Sequence, residues 1–322
     1  MKLTESVAQG HEYPLMIRQL TWEADQILSA VLVAPDGGPL PAWTAGSHID
    51  VLVGAAGVRQ YSLCGDPADT ASWRIAVLRE RDGRGGSEWI HERLRCGERI
   101  VARGPRNHFH LEPADSYCFI AGGIGITPLI PMIRQAIATD SQWELHYGGR
   151  RRSSMAFVDE LLELGGDRVR LYPENEFGRL PLAEILDEPR SRGIYCCGPT
   201  GLLDACLEKT ESWPDDVVHV ERFVSRRSPK HPGDRAFTVT LAQTGSRLKV
   251  GADQTILEVM AEEGLAAISS CEQGLCGTCE TRVLAGAIDH RDEVLSKADH
   301  VRGDRMMICV SRAAEDHLEI DA

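Results

Sequence analysis

The sequence predicts a multidomain protein of α+β and α/β class, with an antiparallel β-barrel, a parallel sheet covered by helices and a small C-terminal domain. Three patterns predict it. Short β-like runs separated by turns fill residues 1–113, strand and helix patterns alternate over 114–225, and a cysteine pattern marks 235–322. A chain of 322 residues exceeds the usual size of one hydrophobic core, so several domains are expected. The polar, proline-containing stretch 226–234 is predicted to be a linker.

Composition and charge exclude several classes of function. The formal net charge is −13 and the pI is about 5.3, which argues against nucleic acid as the main partner and against a basic membrane-binding face. The segment Met1–Leu20 has no continuous apolar stretch, so neither a signal peptide nor a membrane anchor is expected. We therefore expect a cytoplasmic protein, in which the ten cysteines are thiols or metal ligands and not disulfides.

The first two segments have different periodicities. The β-like runs Ile27–Val33, His48–Val53 and Trp73–Leu78, with a short helix starting near Ser87 as N-cap, predict the small antiparallel barrel. In the second segment, alternation predicts a parallel sheet. Its expected strands are 117–121, 143–147 and 193–197, and its expected helices are 128–138, 156–164 and 201–209.

The cysteines of the third segment have the spacing of an iron–sulfur ligand set. Cys271, Cys276 and Cys279 form C-x4-C-x2-C, and Cys309 follows in an apolar run. This is the spacing of plant-type 2Fe–2S ferredoxins. Zinc sites usually combine two C-x2-C units, and only one is present here. The hairpin pattern at 237–241 and 248–250 and a helix at 255–263 complete the segment, which we predict to be a β-grasp ferredoxin domain.

Two elements of the first segment predict a flavin site. Arg59-Gln60-Tyr61-Ser62 ends a barrel strand, where the arginine and serine can bind one anionic ligand and the tyrosine can lie against a flat ring. The glycine-rich run 82–87 leads directly into the predicted helix, whose free backbone amides can bind phosphate.

Two loops of the second segment predict a nicotinamide dinucleotide site. Gly122, Gly123 and Gly125 follow a strand and precede Pro128, which suits the first position of a helix. The loop Cys197-Gly198-Pro199 ends a later strand, so both loops should share the carboxyl edge of the sheet. We expect Cys197 near the nicotinamide and Arg150 on the adenosine side. The adjacent Arg151 and Arg152 could hold a 2′-phosphate, so NADPH stays open beside NADH.

These elements, in this order, resemble one family, that of phthalate dioxygenase reductase and vanillate O-demethylase reductase. The resemblance covers nearly the whole chain. It rests on the flavin, nicotinamide and cysteine motifs already described, on Gly-Pro-Arg-Asn-His-Phe at 104–109, and on the segments 289–292 and 309–312.

The resemblance implies FMN as the flavin, NADH as the usual hydride donor and a separate terminal Rieske-type oxygenase as the electron acceptor. It also implies Thr127 near the flavin and nicotinamide and Phe223 near the flavin. The remaining FMN-contacting residues that it implies are Arg59, Gln60, Tyr61, Ser62, Ala76, Val77, Gly83, Gly85, Gly86 and Ser87.

The resulting hypothesis is a reductase that passes electrons from NADH through FMN and the 2Fe–2S cluster to an oxygenase that oxidises or demethylates an aromatic substrate. No side chain need act as an acid or base, because hydride and electron transfer are chemistry of the cofactors. His48, His108 and His146 are therefore expected to be structural. A reductase for a carnitine- or amine-oxidising Rieske monooxygenase is the alternative within enzymes, and a flavin and iron–sulfur redox sensor is the alternative of another class. The chain itself is expected to be a monomer.

Overall fold

A computed structural model describes residues 12–81, 83–187, 192–214, 217–225 and 231–322. The chain divides into two compact units, Met1–Arg222 and Phe223–Ala322. Most of the predicted linker lies outside the described residues, as do Asp82 and the first eleven residues of the predicted barrel domain. In the part of the chain that is described, no helix is long and apolar enough to cross a membrane.

The first unit begins with the predicted antiparallel barrel. Its elements are β1 (Glu12–Ala24), β2 (Ile27–Val33), β3 (Ser47–Leu52), β4 (Val58–Ser62), β5 (Ser72–Leu78), α1 (Gly86–Arg93) and β6 (Arg99–Asn107). The strands pair in the order β4-β3-β6-β1-β2-β5, all antiparallel. An antiparallel bridge between Leu63 and Ile75 joins the two edge strands, so the sheet closes on itself. Leu15, Ile49 and Trp73 are fully buried in its interior.

The start of α1 differs from the prediction. Helix α1 begins at Gly86, with Gly85 as N-cap in the left-handed region at φ = +79°. Ser87 therefore lies inside the first turn and is not the N-cap. Its Oγ accepts a hydrogen bond from the backbone amide of Glu80 at 3.0 Å. A glycine without a side-chain cap leaves the amides at this helix start available to a ligand.

The parallel sheet follows in the same unit. Its elements are β7 (Ser116–Gly122), α2 (Leu129–Ala138), β8 (Gln142–Gly149), α3 (Val158–Gly165), β9 (Val169–Pro173), α4 (Glu174–Phe177), α5 (Leu182–Ile185), β10 (Gly193–Cys197), α6 (Thr200–Lys209) and β11 (Val218–Glu221). The strand order is β11-β10-β7-β8-β9, with every pair parallel. Both faces are covered, which explains why the central strands are apolar throughout. Phe119 packs in the core on one face, and Cys118 and Ile120 pack in the core on the other.

Within this unit a charged cluster links the barrel to the parallel sheet. Arg74 of β5 donates two hydrogen bonds of 2.8 Å to the Glu160 carboxylate of α3, which also pairs with Arg134 of α2. The Arg74 guanidinium lies 4.9 Å from the centre of the Phe157 ring. Bidentate arginine–carboxylate pairing restricts orientation as well as distance, so it fixes the barrel against the sheet.

The second unit contains a mixed sheet and a packed helix. Its elements are β12 (Phe237–Leu241), β13 (Arg247–Val250), α7 (Ile256–Glu262), β14 (Glu280–Ala285), β15 (Ile288–Asp289), α8 (Lys297–Arg302), β16 (Arg305–Met307), β17 (Arg312–Ala313) and β18 (His317–Ile320). The main sheet has the order β13-β12-β18-β14-β16, and its β12–β18 pair is parallel. Thr255 caps α7 in a capping box with Glu258, and Ile256 and Met260 are buried against the core. The predicted hairpin of β12 and β13 is confirmed.

Candidate functional site

The two predicted flavin elements come together at the start of α1. The Nη2 atom of Arg59, on the edge strand β4, donates a 2.6 Å hydrogen bond to the backbone oxygen of Arg84. A Cβ atom built on Gly86 would lie 2.5 Å from the Arg59 Cγ, so only glycine lets this side chain cross the helix start. A positive charge and the amides of a helix start thus lie side by side, which suits a phosphate group.

The other residues predicted to contact the flavin surround this point. Tyr61 and Gln60 lie on β4, and Ala76 and Val77 are buried in the opposite edge strand β5. Gly83 approaches Glu80 closely, since a Cβ there would lie 3.3 Å from the Glu80 Cβ. Phe223 begins the second unit and is 40% exposed, so its contact with the flavin stays a prediction.

The two glycine loops predicted to share the carboxyl edge of the parallel sheet are in contact. A Cβ atom on Gly125 would lie 2.3 Å from the backbone oxygen of Cys197, and one on Gly198 would lie 2.9 Å from the Gly122 Cα. A Cβ atom on Gly122 would lie 2.7 Å from the Cδ atom of Pro199. The glycines therefore allow the loops after β7 and β10 to meet, which forms a crevice at the edge where α/β sheets bind ligands.

The remaining dinucleotide candidates lie along this edge. Thr127 is buried, and its Oγ1 donates to the backbone oxygen of Ile124 at 3.0 Å. Helix α2 starts at Leu129, and Pro128 is its N-cap. The prediction that Pro128 is the first helical residue is therefore wrong by one position. Gly123 adopts φ = +55° in the turn before it. Arg150 is exposed at the end of β8.

Cys197 is fully buried at the end of β10. Burial, and next the carboxylate of Glu221, raises the pKa of its thiol. A thiol held protonated in this way is a poor nucleophile, which agrees with a contact role and not with covalent chemistry.

The sequence reasoning missed Glu221. This residue ends β11, directly beside Cys197 in the strand register, and its carboxyl group lies next to Ser62 of the barrel. Burial raises the pKa of Glu221 to about 8, and its Oε2 atom is buried with no hydrogen-bond partner among the described residues. The sequence did contain a signal. A glutamate at the end of a predicted parallel strand lies at the edge where ligands bind, and glutamate is seldom buried unless it has a partner.

In the second unit the four cysteines of the predicted cluster are buried and linked. The thiol of Cys271 lies next to those of Cys276 and Cys309, and the thiol of Cys309 lies next to that of Cys279. Their exposure is between 1 and 6%. One loop and one distant residue thus bring four sulfur atoms together, as a 2Fe–2S cluster requires.

The cysteine loop directs backbone amides at the sulfur atoms. The amides of Gln273 and Leu275 donate to the Cys271 Sγ at 3.3 and 3.4 Å. The neighbouring thiols of Cys276 and Cys309, and then these two amides, lower the pKa of Cys271. Gly274 makes the turn possible at φ = +68°, where a Cβ would lie 2.6 Å from the Val310 Cγ2. Thiolate is the form that binds iron, so the loop fits a cluster.

Comparisons with known proteins agree with this geometry. Residues 239–314 match the model of the 2Fe-2S iron-sulfur cluster binding domain. Phenoxybenzoate dioxygenase subunit beta of Ectopseudomonas oleovorans is 41% identical, covering 95% of this chain and 96% of the relative. The phthalate 4,5-dioxygenase oxygenase reductase subunit of Pseudomonas putida is 40% identical, covering 92% and 93%.

Solved structures show the same architecture. Phthalate dioxygenase reductase, described as a modular structure for electron transfer from pyridine nucleotides to [2Fe-2S], matches with a TM-score of 0.71 and 34% identity. The match covers 97% of this chain and 98% of that one. An intact type IV self-sufficient cytochrome P450 monooxygenase matches with a TM-score of 0.93 and 44% identity over the whole of this chain. This chain spans 43% of the length of that monooxygenase.

Proposed function

This chain belongs to the phthalate dioxygenase reductase family, and we propose that it carries electrons from NADH through FMN and a 2Fe–2S cluster to a separate terminal oxygenase. It is a flavin and iron–sulfur oxidoreductase, as its relatives are. The observation that carries the proposal is the contact between the glycine loops after β7 and β10, beside Ser62 of the barrel. That contact supports a nicotinamide site and a flavin site within one compact unit.

The glycine geometry at both sites fits the two cofactors. FMN would be held by the guanidinium of Arg59 and the amides at Gly85 to Ser87, with Tyr61 and Ser62 against its ring. When bound, it accepts two electrons as hydride and releases them singly. The dinucleotide pyrophosphate would lie against the glycine loops at 122–125 and 198–199, with Thr127 and Cys197 near the nicotinamide. The proposed domains remain 1–113 for FMN, 114–225 for the dinucleotide and 235–322 for the cluster.

The role of the protein is to orient these groups and to exclude water from the place where they meet. Thr127 and Cys197 are buried there, and Glu221 keeps a proton on its carboxyl group near neutral pH because burial raises its pKa to about 8. A neutral carboxyl group can donate a hydrogen bond as well as accept one. We propose that Glu221 and Ser62 together orient the polar groups between the barrel and the parallel sheet.

The cluster is proposed to be held by Cys271, Cys276, Cys279 and Cys309. Each is buried by the second unit's own core, and the amides of Gln273 and Leu275 stabilise the thiolate of Cys271. The match to the 2Fe-2S domain model supports iron–sulfur over the zinc alternative.

NADH is the proposed donor, with NADPH as the competitor to test. Arg150 and Arg151 are exposed after β8, where a 2′-phosphate would add a charge for them to bind. The test measures steady-state rates of NADH and NADPH oxidation by the wild-type protein and by an Arg151→Ala variant. The comparison decides which nucleotide is the donor. A preference for NADPH that disappears in the variant would contradict the proposed donor.

The proposed partner is a terminal Rieske-type oxygenase that acts on an aromatic substrate. Acidic residues outnumber basic ones in 235–322, so we propose that the cluster domain docks on a basic oxygenase face. Electron transfer to the oxygenase should then weaken as the salt concentration rises from low to physiological. A rate that does not change with salt would contradict electrostatic docking. The monomeric state and the cytoplasmic location stay predictions.

A cytochrome P450 is the second candidate partner. The specific observation is the match of the whole chain to part of a self-sufficient P450 monooxygenase.

Reconstitution separates the candidate partners. The reductase is mixed with aromatic-ring oxygenases, a carnitine-type oxygenase and a P450, each with substrate, and NADH-dependent product is measured. We expect product with an aromatic-ring oxygenase. Product only with the P450 would overturn the proposed partner, and negligible NADH oxidation with any acceptor would favour the redox-sensor alternative.

A further inference from the structure

The second unit carries a group of metal-binding side chains that the proposed electron path does not use. His290 and Asp292 follow β15, and His300 lies in α8. One potential ligand atom from each of the three residues lies within 4.8 Å of the other two. Two imidazoles and a carboxylate from separate segments of the chain therefore converge on one place.

The distances in this group are longer than those of ordinary hydrogen bonds. The His290 Nδ1 lies 3.5 Å from the Asp292 Oδ1, and the His300 Nε2 lies 3.6 Å from the Asp292 Oδ2. Hydrogen bonds between such atoms usually measure about 2.7–3.2 Å. Two ligands bound at about 2.1 Å to a tetrahedral ion stand roughly 3.4 Å apart. The observed spacing is thus closer to that of two ligands around an ion.

The carboxylate of Asp292 is fixed in place. The residue is 3% exposed, and its Oδ2 accepts the backbone amides of Val294 at 3.2 Å and Leu295 at 2.8 Å. The hydroxyl of Ser311 lies 3.4 Å from its Oδ1. Outer hydrogen bonds of this kind orient the carboxylate ligands of metal sites.

The two imidazole rings of this group lie against each other. The rings stack with centroids 4.2 Å apart and planes inclined by 17°. The buried Nε2 of His300 has no hydrogen-bond partner among the described residues. A ring nitrogen of this kind can serve as a ligand of a metal ion.

His290 also lines a polar cavity. This cavity of about 440 Å³ is lined by His290 together with the acidic residues Asp234, Asp289, Glu315 and Asp316. The guanidinium of Arg291, also in the lining, is engaged by Asp234 at 2.6 and 2.8 Å. Three arginines, Arg235, Arg291 and Arg312, also line the cavity, so its walls carry charges of both signs.

We propose that His290, Asp292 and His300 bind a divalent transition-metal ion, with Zn²⁺ the ion to test first. Imidazole and carboxylate donors suit this class of ion, and three protein ligands leave a position for water. Mg²⁺ prefers oxygen ligands in an octahedral arrangement, so it should not bind here. The site uses none of the four cysteines, although Asp292 packs against Gly274 of the cysteine loop.

The test is equilibrium dialysis of the cluster-loaded protein against Zn²⁺, with elemental analysis of zinc and iron. We expect one zinc per chain with the iron content unchanged, and none of this zinc displaced by excess Mg²⁺. His300→Ala should weaken zinc binding by at least about tenfold, because one of three ligands is lost. Asp292→Asn should do the same if its iron content shows that the domain is intact.

The matched control is His317→Gln, which removes an exposed histidine of the same unit that pairs with Thr240. This variant should bind zinc as the wild-type protein does. Absence of zinc from the wild-type protein would overturn the proposal. Binding that survives His300→Ala without loss of affinity would also overturn it, since the zinc would then lie elsewhere.

Discussion

Ser62 of the barrel lies next to the buried carboxyl group of Glu221, which ends the last strand of the parallel sheet. Ser62 is one of the residues predicted to contact the flavin, and Glu221 lies beside Cys197, which is predicted to lie near the nicotinamide. Their contact, together with the Arg74 and Glu160 ion pair, makes the barrel and the parallel sheet one compact unit. The junction therefore depends on a carboxyl group that is held mostly protonated near neutral pH.

The Glu221→Gln substitution should make the first unit more stable at alkaline pH than the wild-type unit. The pKa of Glu221 is about 8 in the folded protein and about 4.3 in an unfolded chain. The folded state therefore holds this proton more tightly, and wild-type stability falls as the pH rises from about 4.3 to about 8. Glutamine cannot ionise. The stability of the variant relative to wild type should rise between pH 5 and 9 by an amount on the order of a few kcal/mol.

Denaturant unfolding at pH 5, 7 and 9 measures this difference. Glu208→Gln, on the exposed side of α6, is the control and should show a difference that does not change with pH. If the relative stability of Glu221→Gln were also independent of pH, Glu221 would not be a buried proton-holding group.

The sequence was sufficient wherever one local pattern determines one structure. The C-x4-C-x2-C spacing predicted the cysteine loop, and the apolar run at 117–121 predicted a central parallel strand. The start of α1 was missed because Ser87 is a better N-cap by residue preference than Gly85. Glycine prevails there because the cap residue has a positive φ and because Gly86 must make room for Arg59. Glu221 was missed because its partner Ser62 is distant in sequence.

The Gly125→Ala substitution should impair the nicotinamide site. The new Cβ would lie 2.3 Å from the backbone oxygen of Cys197, so the two loops must separate, at a cost of about 1–3 kcal/mol. Flavin reduction by NADH, followed by stopped flow, should become slower and should need more NADH to saturate. Gly201→Ala is the control, since its Cβ meets no atom within 4 Å. If the two substitutions slowed flavin reduction by NADH equally, the contact between the two loops would not be the cause.

The Gly274→Ala substitution should reduce the cluster content of the protein. Its Cβ would lie 2.6 Å from the Val310 side chain, next to Cys309, in addition to the strain of a positive φ. Iron per chain and visible absorption measure the loss. Gly264→Ala has a similar φ of +70° with open space around the new atom, so it should cost about 1 kcal/mol and keep its iron. Normal iron content in Gly274→Ala would contradict the packing argument.

Electron flow from NADH through the flavin to the cluster is tested most directly by Cys309→Ser with two electron acceptors. Ferricyanide can take electrons from the flavin, whereas cytochrome c should take them from the cluster. We predict that the variant loses iron, keeps NADH-dependent reduction of ferricyanide at close to the wild-type rate and loses reduction of cytochrome c. Cys96→Ser, at an exposed thiol, should keep both activities. Undiminished reduction of cytochrome c by an iron-free Cys309→Ser protein would contradict this electron path.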